Sequence, residues 1–162
     1  MKQTIIADRV FDGDELHTGL PITFEDGHIL AFDTMQGAKE SRLSRLVTPG
    51  FIDVQVNGGG GVLFNSFPNV KGIAAIGKAH TKYGTTAFLP TLITDDLNVM
   101  HQAADAVAAA LEQKVAGVVG VHFEGPHLSV PKKGVHPQPF IRRISDAEQE
   151  IFSRQDLGIK VV

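Results

Sequence analysis

No cysteine occurs in the 162-residue sequence, no tryptophan, and only one tyrosine. Without cysteine there is neither a disulfide framework nor a thiolate metal site. A charge excess is also missing: 15 basic against 18 acidic side chains leave −3, too small and of the wrong sign for an electrostatic nucleic-acid binder. No apolar run approaches the roughly 18 residues of a membrane span. The opening MKQTIIADRVFDGDELH turns acidic before a hydrophobic signal region can form, so no signal peptide and a cytoplasmic location are expected. What is present excludes disorder: 43% hydrophobic residues, ten Phe and a mean hydropathy of +0.03 supply ample surface to bury. The length by itself fits one domain, or one modest domain with an appendage.

Charge and pattern divide the chain near residue 46. Residues 1–46 hold 5 basic and 8 acidic residues and so carry the whole net charge, whereas 47–162 balance. The first part reads as β structure. Ile5, Ile6 and Val10 lie in an apolar stretch, and Asp26-Gly27 between two apolar runs is a strong hairpin signal, since both positions of a type I′ turn need positive φ. From Val47 strands alternate with helices. Strands are predicted over 51–57, 85–93, 118–123 and 158–162, with Pro90 near the end of the second. Helices are predicted over 69–83, after a cap at Thr94 or Asp95, and from the capping box Ser145-Asp146-Ala147-Glu148. This alternation implies a parallel sheet. A (β/α)8 barrel of about 250 residues averages about 31 per unit, so residues 47–162 amount to roughly 3.7 units. The expected fold is α/β: the first three to four βα units of a TIM-type barrel, incomplete, preceded by a small β-sandwich-like segment.

In such folds chemistry gathers at the carboxyl ends of the strands. Asp53, Gln55 and Asn57 share one face of the first strand by the period of two, with Val54 and Val56 on the other. They read either as a site or as a satisfied polar cluster inside a barrel. His122 and Glu124 share a face at the end of the third strand and suit a divalent metal, while a buried Glu paired with Arg or Lys is the structural alternative. The loop 128–143 carries Lys132-Lys133-Gly134-Val135-His136 and can contact a substrate or simply be solvated. Glycines 58–61 allow close backbone approach to a ligand but match no phosphate loop. His80 and His101 are expected to face outward from helices.

The segments VTPGFID (47–53), QVNG (55–58), LPTLIT (89–94), HFEGPHL (122–128) and KKGVH (132–136), in this order, resemble the amidohydrolase superfamily and, within it, the N-acetylglucosamine-6-phosphate deacetylases. The resemblance covers essentially the whole chain and implies an N-terminal portion: a part of a small β domain over 1–46 and of the barrel over 47–162. It implies a hydrolase that removes acetate from N-acetylglucosamine 6-phosphate with one divalent metal ion, zinc by expectation, in a homodimeric complete enzyme. Glu124 matches the metal-ligating glutamate, Val135 and His136 the substrate-contacting loop, and Gln55 and Asn57 further substrate contacts. Gln55-Val56-Asn57 stands where most amidohydrolases carry His-x-His, which points to one metal ion and not two. The general acid/base aspartate and two histidine ligands are expected outside this segment, so the chain alone is expected to be inactive. The alternatives are another amidohydrolase, such as a deaminase or cyclic amidase, and a noncatalytic half-barrel assembly module.

Overall fold

In the computed structural model, which describes residues 1–32 and 39–162, residues Met1–Pro49 form one unit built on a five-stranded sheet. Its strands are β1 (Gln3–Phe11), β2 (Leu16–Thr18), β3 (Pro21–Glu25), β4 (His28–Phe32) and β5 (Lys39–Val47). β1 pairs antiparallel with β2 and β3 and parallel with β5. β3 and β4 form the predicted hairpin, with Asp26 and Gly27 at φ 50° and 80°, the signs a type I′ turn requires. Ala7, Val10, Leu20 and Ile22 make a small core, with Val47 packed on it. Thr4 and Thr23 face each other across β1 and β3, their buried hydroxyls 2.9 Å apart. Among the described residues of this unit, the five strands of the expected sandwich-like segment join one hydrogen-bonded sheet.

The second unit, Gly50–Val162, alternates strands and helices as the pattern predicts. β6 (Phe51–Val56) leads into a short glycine hairpin, β7 (Gly58–Gly59) and β8 (Val62–Leu63). Then come α1 (Val70–Thr81), β9 (Thr85–Ile93), α2 (Leu97–Glu112), β10 (Gly120–Glu124), α3 (Asp146–Ser153) and β11 (Ile159–Val161). The four main strands form a wholly parallel sheet in the order β11-β10-β9-β6. Phe88, Leu92, Val121 and Phe123 from the strands pack with Ile73 and Ile76 of α1, Met100, Ala103, Ala104 and Val107 of α2, and Ile151 of α3. Gly77 lets α1 come close to β9, since a Cβ there would lie 2.7 Å from the Phe88 ring.

Three local expectations change. α2 is capped by Asp96, whose carboxylate accepts from the Val99 amide, and not by Thr94 or Asp95, which are bonded elsewhere. Pro90 sits inside the central strand β9, where the Thr91 hydroxyl bridges the interrupted ladder by accepting from the Val56 amide and donating to the Leu89 carbonyl. The glycine run lies close to α1: a Cβ on Gly59 would meet the His80 ring at 2.9 Å. His80 accordingly faces inward, its Nε2–H donating to the Gly58 carbonyl at 2.9 Å, whereas His101 is exposed as expected.

Candidate functional site

The carboxyl end of β6 departs from regular pairing. Its register against β9 slips between Asp53 and Val56, so the period-two face predicted for residues 53–57 does not persist. Val56 is buried while Val54 is exposed. Side chains satisfy the backbone that the slip releases. Asp53 Oδ1 accepts from the Gln55 amide at 3.0 Å, and His122 Nδ1–H donates to the Val54 carbonyl at 2.9 Å. His122 is therefore a brace between β10 and β6, its ring turned to the Val54 carbonyl.

Beyond this slip, Asn57 lies at the end of β10. Asn57 Nδ2 donates to Glu124 Oε2 at 3.2 Å, and the Asn57 carbonyl accepts from the Phe64 amide at 2.9 Å. His136 approaches the same carboxylate from the loop after β10, its Nε2 3.5 Å from Glu124 Oε1. That loop is closed by a turn in which the His136 amide donates to the Lys133 carbonyl, and Lys133 Nζ donates to the Gly134 and His136 carbonyls. Three predicted residues, Asn57, Glu124 and His136, thus meet at one point. Gln55 is exposed on β6 outside this cluster, and Val135 is 87% exposed on the loop.

Further residues hold the cluster, and only some were visible in the sequence. Thr94, buried just beyond β9, has its hydroxyl 2.8 Å from His136 Nδ1. Asn65 clamps the end of β9: its Oδ1 accepts from the Ile93 amide, and its Nδ2 donates to the Ile93 carbonyl and to Asp95 Oδ2. Arg142 binds the buried Glu148 carboxylate at 2.7 Å and donates to the Asp95 and Phe140 carbonyls. Glu148 also completes the predicted capping box with Ser145. Burial opposes ionisation of Glu148, but the Ser145 hydroxyl and amide and the Arg142 guanidinium outweigh it and hold the carboxyl below its ordinary value. The capping box was legible in Ser145-x-x-Glu148, whereas no local signal marks Asn65 or Arg142.

Chemically, Glu124 offers anionic oxygens on a side chain 29% exposed, paired with no Arg or Lys among the described residues. That suits a hard or borderline divalent cation. No group of three or more His, Cys, Asp or Glu among the described residues is placed to hold a metal, so the donor set present fits one ligand of such a site. No helix among the described residues is long and apolar enough to cross a membrane.

Residues 46–162 match the model of the amidohydrolase family. The N-acetylgalactosamine-6-phosphate deacetylase of Shewanella sp. (strain ANA-3) is 51% identical over 119 residues, covering 74% of this chain and 30% of that protein. The N-acetylglucosamine-6-phosphate deacetylase of Haemophilus influenzae is 40% identical over 99 residues, 61% of this chain and 26% of that protein. The crystal structure of N-acetylglucosamine-6-phosphate deacetylase from Pasteurella multocida superposes with a TM-score of 0.87 at 34% identity, over 94% of this chain and 41% of that one. The chain spans about 30% of the length of the curated relatives it matches.

Proposed function

This chain belongs to the amidohydrolase family, and from that membership we propose that it supplies the first strands of a (β/α)8 barrel, and one metal ligand, to a deacetylase acting on an N-acetylhexosamine 6-phosphate. The reaction is hydrolysis of the 2-acetamido group, giving the amino-sugar phosphate and acetate. The observation that carries this reading is the meeting of Asn57 and Glu124, at the carboxyl ends of the parallel strands β6 and β10, with His136 of the loop after β10, on the side where barrel enzymes gather their chemistry.

Glu124 is the ligand for one divalent ion, zinc by expectation. When bound, such an ion polarises a carbonyl oxygen and acidifies water. Asn57 holds Glu124 by one carboxylate oxygen and leaves the other turned toward His136. His136, with Val135 and Lys133 on the same loop, faces the sugar, and Gln55 and Asn57 line the approach from β6. N-acetylglucosamine 6-phosphate is the first substrate to test. A second reading, its galacto epimer, is favoured by the 51% identity to a protein named for that epimer.

Calorimetric zinc titration of the chain and of Glu124→Gln tests the ligand assignment. Loss of binding in the variant is expected, and equal binding in both overturns it. Acetate release from the two epimers by a form carrying the rest of the barrel tests the activity and separates the two substrate readings. The chain by itself is expected to release none, because the described residues provide only one ligand.

A further inference from the structure

We infer that Thr94 is a positioning residue that holds His136 Nδ1 as a hydrogen-bond acceptor, so that the ring proton is on Nε2 and directed at the site. This rests on the reading of His136 as a substrate-facing residue, and goes beyond it in stating which ring atom does the work.

The backbone settles the proton's location. The Thr94 amide, which can only donate, lies 3.4 Å from His136 Nδ1. Nδ1 therefore carries the lone pair, and the Thr94 hydroxyl, 2.8 Å away, donates to it as well. The hydroxyl has one proton, so its 3.5 Å approach to the Glu124 carbonyl is the lesser contact. With Nδ1 committed as an acceptor, the ring's N–H is at Nε2, beside Glu124 Oε1. Both partners are buried, so water does not compete for Nδ1.

Two features keep Thr94 in place. Asn65 fixes the adjoining Ile93 and Asp95, and Arg142 holds the Asp95 carbonyl. Gly125 (φ +88°) leaves room for the hydroxyl, since a Cβ there would overlap Thr94 Oγ1. The consequence is chemical. An Nε2 that bears a proton offers no lone pair to a metal, so His136 acts toward the site as a hydrogen-bond donor to an oxygen of substrate or carboxylate. Thr94 thereby separates the roles of two neighbouring side chains, leaving Glu124 as ligand and His136 as donor.

Long-range proton–nitrogen correlation spectra of the histidine-labelled chain read the tautomer directly, with His136 identified by the signals that vanish in His136→Gln. Wild type and Thr94→Ser are expected to show a protonated Nε2 and an unprotonated Nδ1, widely separated in nitrogen shift. Thr94→Val keeps the amide but removes the hydroxyl, so that separation should shrink while the other histidine signals stay in place. A wild-type ring protonated on Nδ1, or a Thr94→Val ring indistinguishable from wild type, overturns the inference. The wild-type spectrum decides even if a variant fails to fold. No metal or substrate is needed, so a missing deacetylase activity in a longer form would sink the proposed function and leave this result standing.

Discussion

Asn57 Nδ2 donates to Glu124 Oε2 at 3.2 Å, joining two residues 67 positions apart through the only carboxylate of the cluster. A hydrogen bond to a charged group contributes about 1.5–3 kcal/mol when well buried, and this pair is only partly buried. Asn57→Ala is therefore expected to lower stability by about 1 kcal/mol in urea unfolding. It should also weaken zinc binding less than Glu124→Gln does, because it loosens the ligand without removing it.

The Arg142–Glu148 pair joins the loop after β10 to α3, with Glu148 fully buried. Removing one partner strands a buried charge, so Arg142→Ala should cost about 3–5 kcal/mol. The Glu148 carboxyl is held below its ordinary value of 4.5, so it stabilises the fold fully above that pH. That contribution disappears as pH falls through the depressed value. Glu148→Gln should therefore be less stable at neutral pH and lose less stability on acidification, as followed by denaturant midpoints across pH.

Gly77 of α1 lies against Phe88 of β9, with no room for a methyl group. Alanine is the better helix former by about 1 kcal/mol, yet overpacking a core costs about 1–3 kcal/mol. Gly77→Ala is expected to be destabilising on balance and Phe88→Ala more so, by about 3–5 kcal/mol. Thermal unfolding of the two variants gives the comparison.

β6 ends the four-stranded sheet with Phe51, Ile52 and Val54 exposed, at 68%, 71% and 55%. An apolar edge strand templates further pairing. The chain should self-associate in a concentration-dependent way on size exclusion, and Ile52→Lys should shift it toward monomer. A wild-type chain that stays monomeric at high concentration would contradict this.

The elements that were legible share one property: their determinants are local. Strand β9 was predicted over 85–93 and is found there, because TTAFLPTLI is β-branched and apolar and is bounded by Gly84 and by the polar Thr94-Asp95. The Asp26-Gly27 turn and the Ser145–Glu148 capping box follow from backbone conformation and hydrogen bonding within four residues. Glu124 and Asn57 were legible as candidates because they stand at predicted strand ends, and His136 because it lies in the KKGVH loop segment that carries the resemblance. The expectations that changed depend on partners distant in sequence. The cap of α2 moved to Asp96 because Asp95 binds Asn65 and Thr94 binds His136. The period-two face of residues 53–57 failed because Asp53, His122 and Thr91 side chains satisfy the backbone of β6 in place of a ladder.

The sequence by itself determined the parallel alternation of strands and helices, the absence of thiolate chemistry and the residue types available to the site, since periodicity and composition act at short range. Only the tertiary structure decided which of those residues meet. Asn57 meets Glu124 beyond the register slip of β6, and His136 is oriented by Thr94 across 42 residues. Hydrogen bonds between distant segments depend on where the packed sheet places their backbones, and no local pattern records that placement.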